Sequence, residues 1–122
     1  MGKTILLIDD DPVIIKMLET RLKANGFSPL ATQDASEGLE MAIKQQPDLI
    51  IMDVMMPIIN GYNLCTILKS EEKTKNIPII MLTSRTDDRD KAIGQQVGAD
   101  AYSTKPVKME ELLNDMRSLL GI

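Results

Sequence analysis

Three short apolar runs, at residues 4–8, 49–52 and 79–82, are each bounded by polar or turn-forming residues and show no polar alternation. A strand buried on one face alternates apolar with polar residues, whereas a strand buried on both faces does not. The three runs therefore predict central strands of a sheet covered on both sides. Between them lie segments with helical spacing. The first carries Val13, Ile14, Met17, Leu18 and Leu22, with Asp11 placed to cap it, Pro12 to open it and Gly26 to close it. A second is started by Asp34 with Glu37 three residues on, bears Leu39, Ala42 and Ile43, and ends at Pro47. A third runs from about Asn60 through Leu64, Cys65 and Leu68. The last has Met109, Leu112, Leu113, Met116, Leu119 and Leu120 in one stripe. A further helix is expected over 86–98, although Asp87, Asp88 and Asp90 crowd its start and Gly94 lies within it.

Two weaker strands complete the alternation. Residues 27–32 contain Pro29, which has no N–H for a ladder, and residues 100–104 are only partly apolar, so both belong at sheet edges. Strands alternating with helices over short connections predict a parallel sheet with right-handed crossovers. The expectation is a single-domain α/β fold over residues 1–122: a flavodoxin-like, doubly wound, five-stranded parallel sheet in the order 2-1-3-4-5, with five helices. No repeat, linker or low-complexity tract suggests a domain boundary.

Composition narrows the chemistry. The chain has 14 basic and 18 acidic residues and a net charge of −4, which opposes the attraction to phosphate on which nucleic-acid binders depend. Direct DNA contact is not expected. The apolar stretch before the first aspartates is too short for a signal peptide or membrane span, so a cytoplasmic protein without membrane insertion is expected. There is no histidine, which removes Ser-His and Cys-His catalysis and His-ligated metal sites. The single cysteine, Cys65, sits among Leu64, Ile67 and Leu68 and reads as a small core residue. Gly2-Lys3-Thr4 enters a strand rather than a helix and is no phosphate loop, and Leu6 stands where a myristoylation signal needs Ser or Thr.

The residues that follow the strands are the informative ones. Asp9 and Asp10 follow the first, Asp53 the third, Thr83 and Ser84 the fourth, and Lys105 the fifth. In the expected topology, ligands bind at the carboxyl ends of the strands, around the switch point between the first and third. Three carboxylates brought together there repel one another unless protons are retained or a cation binds. Mg²⁺ suits such a donor set, commonly taking one or two carboxylates, waters and a phosphate oxygen. With the charge shielded, Asp53 can act as nucleophile toward a phosphoryl group, Lys105 can pair with a phosphoryl oxygen and Thr83 can donate a hydrogen bond to one. The product carries added negative charge, which draws the hydroxyl and ammonium inward. Taken singly, each residue has a plainer reading: Asp11 is an N-cap, Thr83 a turn residue, Tyr102 an edge-strand packing residue and Lys105-Pro106 a strand exit.

The stretches ILLIDDDP, DLIIMDVMMPIING, IIMLTSR and GADAYSTKP resemble the receiver domain of two-component response regulators along the whole chain. The resemblance implies a phosphoprotein in a phosphorelay, in which Asp53 accepts a phosphoryl group from a histidine kinase or histidine phosphotransfer protein. It implies Mg²⁺ on Asp10, Asp53 and the Met55 backbone carbonyl, with Asp9 acting largely through water. Thr83 and Lys105 would contact the phosphoryl oxygens, the Lys105-Pro106 bond would be cis, and Tyr102 would be the switch aromatic. The signalling surface would comprise the fourth helix, fifth strand and fifth helix, read by a downstream effector or output domain. Such a domain catalyses only its own phosphorylation and dephosphorylation and is not otherwise an enzyme. Asn60, Ser84 and Val107 depart from the commonest family pattern without touching this chemistry.

Two other readings use the same residues. Asp9-Asp10-Asp11 contains the Asp-x-Asp spacing of haloacid-dehalogenase-type phosphatases, but the chain has no room for their cap domain and the motif from Asp53 to Pro57 would go unexplained. An inactive receiver serving only as a scaffold is the other. The resemblance also makes Met55 and Arg85 a partial shield against water. Replacing both with small polar residues is expected to shorten the lifetime of a phosphoryl label, and an unchanged lifetime in a decay assay counts against that role.

Overall fold

The computed structural model describes residues 2–54, 56, 60–83 and 97–122. Five parallel strands form one sheet: β1 (Thr4–Ile8), β2 (Ser28–Thr32), β3 (Leu49–Asp53), β4 (Ile79–Thr83) and β5 (Ala101–Thr104), in the order β2-β1-β3-β4-β5. This is the expected order, with the strand holding Pro29 at one edge and the partly apolar strand at the other. Four helices lie among the described residues: α1 (Pro12–Ala24), α2 (Ala35–Gln45), α3 (Gly61–Ser70) and α4 (Met109–Leu120). Of the further helix expected over 86–98, residues 86–96 lie outside those described, and Val97 and Gly98 form a turn.

Successive residues of the central strands point to opposite sides of the sheet. Leu6, Ile8, Ile50, Met52, Ile79 and Met81 join Ala42 of α2 and Leu64, Cys65 and Leu68 of α3 in one core layer. Ile5, Leu7, Leu49, Ile51, Ile80 and Leu82 join Leu18 and Leu22 of α1 and Leu112 and Met116 of α4 in the other. Unbroken apolar runs thus fill two cores at once. Burying each large aliphatic side chain stabilises the fold by about 1.5–3 kcal/mol.

Local chemistry fixes where the helices begin. Asp11 accepts from Val13 N ahead of Pro12, Asp34 accepts from Ser36 N and Glu37 N, and Asn60 accepts from Asn63 N. Gly26, at φ 86, turns the chain out of α1 and lets Phe27 N bond to Leu22 O. Helix α2 ends without a glycine: Gln46 takes a left-handed conformation at φ 49, its backbone N–H bonded to Ala42 O and its side-chain amide to Ile43 O. At the amino edge of the sheet, Asp48 Oδ2 accepts from Thr4 N, and Asp100 Oδ2 accepts from Ile79 N while pairing with Lys69. These bonds set the starts of β1 and β4.

Gly61 shows how tightly α3 is seated. Its N–H bonds to Val54 O at 2.8 Å, and a Cβ there would lie 2.3 Å from Asp53 O and 2.8 Å from the Val54 Cα. Backbone on both sides leaves no room for relief. Gly61→Ala is expected to lower stability by about 1–3 kcal/mol, measured by urea denaturation. An unchanged midpoint contradicts this packing.

Candidate functional site

The carboxyl ends of β1 and β3 lie side by side, because the register pairs Ile8 with Met52. Asp9 and Asp53 come one step later on each strand. Asp9 is 2% exposed and Asp53 5%, while Asp10 is exposed at the rim. One carboxylate oxygen from each of Asp9, Asp10 and Asp53 lies within 4.8 Å of the others. The aspartate loop is held in shape by Asp9 itself, whose Oδ1 accepts from Asp11 N at 2.9 Å, and by Asp9 N donating to Thr32 O.

Lys105 follows β5 and reaches back across the end of β4. Its Nζ lies 3.0 Å from Asp9 Oδ2 and 3.3 Å from Asp53 Oδ1. Asp9 Oδ2 is buried and receives no aligned hydrogen bond, so the ammonium compensates it by charge rather than by a directed donor. Burial works against the charge of Lys105, but Asp9 and then Asp53 outweigh it, and the ammonium titrates above the ordinary 10.5. The Lys105-Pro106 peptide is cis, and Lys105 N donates to Thr83 O at 2.7 Å. Thr83, wholly buried, thereby ends its strand one residue beyond Leu82, the register partner of Asp53.

Among the described residues, three carboxylates gather beside one ammonium. An all-oxygen donor set with a buried Asp9 oxygen lacking an aligned hydrogen bond fits a hard divalent cation better than a thiophilic or imidazole-binding one. The Met55 carbonyl, expected as a further ligand, and Arg85 lie outside the described residues. Cys65 is not part of the site: it is buried beneath α3, and burial pushes its thiol up to about 11, as suits a core residue.

Tyr102 lies on β5 opposite Met81, and its hydroxyl is 2.7 Å from the hydroxyl of Tyr62 at the start of α3. Sequence reasoning did not single out Tyr62. Its one signal was position, directly after the glycine that packs on the end of β3.

Comparison with known proteins agrees with this geometry. Residues 5–117 match the family model described as the response regulator receiver domain. The DNA-binding dual master transcriptional regulator RpaA of Synechocystis is 40% identical over 116 residues, covering 95% of this chain and 48% of that protein. The chain spans about half the length of the curated relatives it matches. Chemotaxis protein CheY4 of Vibrio cholerae superposes with a TM-score of 0.92 at 31% identity, over 98% of this chain and 99% of that one. The receiver domain of the sensor histidine kinase PA1611 from Pseudomonas aeruginosa, with a magnesium ion coordinated in its active-site cleft, gives a TM-score of 0.91 at 30% identity, covering all of both chains. A matching family model over nearly the whole chain, and a rim of three aspartates beside one lysine at the carboxyl edge of a 2-1-3-4-5 sheet, make this chain a member of the response-regulator receiver domain family.

Proposed function

We propose that residues 1–122 act as a phosphorylation switch in which Asp53 is the acceptor. The observation that supports this most directly is the Lys105 ammonium held between Asp9 and Asp53 within a cluster of three carboxylates. Asp10 and Asp53, with the Met55 carbonyl, would hold Mg²⁺ and Asp9 would reach it through water. Bound there, the cation shields the charge of the carboxylates and of the incoming phosphoryl oxygens.

The chain's own groups do the rest. A carboxylate oxygen of Asp53 attacks phosphorus, the bond from phosphorus to the donor nitrogen of a phosphohistidine breaks, and that nitrogen keeps the electron pair and takes up a proton. Lys105 leaves its place between two carboxylates to pair with a phosphoryl oxygen, and Thr83 donates a hydrogen bond to another. Hydrolysis of the acyl phosphate returns Asp53 to its carboxylate, so the chain acts on itself and turns over no separate substrate. Tyr102 follows Thr83, and the surface formed by β5, α4 and the segment before β5 carries the signal to an effector protein or output domain.

A histidine kinase or histidine phosphotransfer protein is the proposed donor, in the cytoplasm, and no described helix is long and apolar enough to cross a membrane. A net charge of −4 gives this chain no attraction to DNA of its own. A haloacid-dehalogenase-type phosphatase is not favoured. Its nucleophile would be Asp9, and the motif from Asp53 to Pro57 would go unexplained.

Incubation with Mg²⁺ and acetyl phosphate should add one phosphoryl group to Asp53, releasing acetate, as mapped by mass spectrometry. Asp53→Asn should stay unlabelled and a chelator should abolish labelling of the wild type. A label elsewhere, or none, overturns the proposal and leaves the scaffold reading. Lys105→Met tests the ion pairs separately. With a chelator present at pH 7, it should destabilise the fold by about 2 kcal/mol, less than a fully buried pair would lose. Because the folded-state value of Lys105 is raised, its contribution is complete below the ordinary lysine range and fades as pH climbs through the folded value. Denaturant midpoints of wild type and variant should therefore converge in strong alkali. A constant gap would show that packing, not charge, is what the lysine supplies.

A further inference from the structure

We infer that Tyr62 is a positioning residue of the switch: its hydroxyl holds the Tyr102 ring against α3 and so sets how readily phosphorylation moves it. This rests on the receiver reading given above. The two hydroxyls lie 2.7 Å apart in a partly buried setting, although the residues are 40 apart in sequence. Both rings pack against the same core layer, beneath α2 and α3.

Each end of this bond is tied to the site. Tyr62 follows Gly61, whose N–H bonds to Val54 O and whose Cα sits against the carbonyl of Asp53. Its own carbonyl accepts from Thr66 Oγ1 at 3.0 Å, and Asn60 caps the turn through Asn63 N. The Tyr62 backbone is therefore fixed to the end of the acceptor strand. At the other end, strand alternation sends Thr83 to the same side of the sheet as Ile79 and Met81, and Met81 is the register partner of Tyr102. Two residues after Tyr102, Thr104 pairs with Thr83, and Lys105 N bonds to Thr83 O. The hydroxyl pair thus closes a path from the Asp53 backbone, over α3, to the strand that carries the proposed switch aromatic and the phosphoryl-binding lysine.

A hydroxyl pair is directional, so turning the Tyr102 ring away from α3 breaks it. A group that bonds one position of the ring and not another shifts the balance between them by that difference. Tyr62→Phe deletes one oxygen and keeps the ring that fills the space. The chain has only two tyrosines, which makes their ring signals simple to assign.

The test uses the full chain as wild type, Tyr62→Phe, Tyr102→Phe and the double variant, each labelled with acetyl phosphate and Mg²⁺ and observed by NMR of the tyrosine rings. Tyr62→Phe should change the labelling rate roughly three- to tenfold when Tyr102 is present. In the Tyr102→Phe background the same change should fall below about 1.5-fold, because coupled residues are non-additive. The Tyr102 ring signals should also shift in Tyr62→Phe, and the shift that labelling produces in wild type should change in size. Equal effects in both backgrounds, or no effect where wild type labels normally, would falsify the inference and leave the receiver reading intact. Failure of wild type itself to take label overturns both.

Discussion

Three negative charges forced together at the ends of adjacent strands are the condition to which the rest of this molecule is fitted. The register of β1 on β3 leaves Asp9 and Asp53 as neighbours, with Asp10 beside them at the surface. Their repulsion cannot be relieved by a small shift, since both strands are held by side chains that are wholly buried on either face. Packing energy from two cores thus keeps like charges close, and the lysine after β5 is placed where it relieves part of the strain. What remains is an acidic cluster that could hold a metal cation.

The opposite edge of the same sheet shows that this is not simply how aspartate behaves here. Asp48 and Asp100 sit at the starts of strands, and each is satisfied by a strand backbone N–H, from Thr4 and Ile79 respectively. Lys69 completes the second, bonding both Asp100 and the Ile77 carbonyl. Those carboxylates fix strand ends. Asp9 is more buried than Asp100 and yet keeps an oxygen with no aligned donor.

The central strands, their order and the convergence of Asp9, Asp10, Asp53 and Lys105 were legible in the sequence. Unbroken apolar runs have few other places to go, and topology then decides which residues meet at the carboxyl rim. Helix starts were legible for the same local reason, since Asp11, Asp34 and the neighbourhood of Asn60 need only their own next few residues to act as caps. Asn60, noted as a departure from the family pattern, proves to cap α3 through Asn63 N. What sequence could not show depends on how elements rotate against each other. The left-handed turn at Gln46, the Lys69 to Asp100 bridge and the meeting of Tyr62 with Tyr102 join groups whose proximity no periodicity encodes. Gly61 lies between these cases: its place in the motif was visible, but only the approach of α3 to the Asp53 carbonyl explains why no side chain fits.

Central and edge strands also divide labour. Strands β3 and β4 are buried throughout, and a residue anchored at their ends, such as Asp53 or Thr83, has a backbone that gives little. Strand β5 is shorter, with one buried residue of four, and nothing pairs with its outer side among the described residues. The Tyr102 ring is only partly buried, at the margin of one core, and conformational change is drawn from the least stable parts of a fold. Placing the proposed acceptor on a central strand and the proposed switch aromatic on an edge strand two positions away would let a charge change at a rigid point be expressed as motion where motion is cheap. The proposed role of the Tyr62 hydroxyl lies at that junction, since α3 touches both the Asp53 backbone and the edge-strand ring.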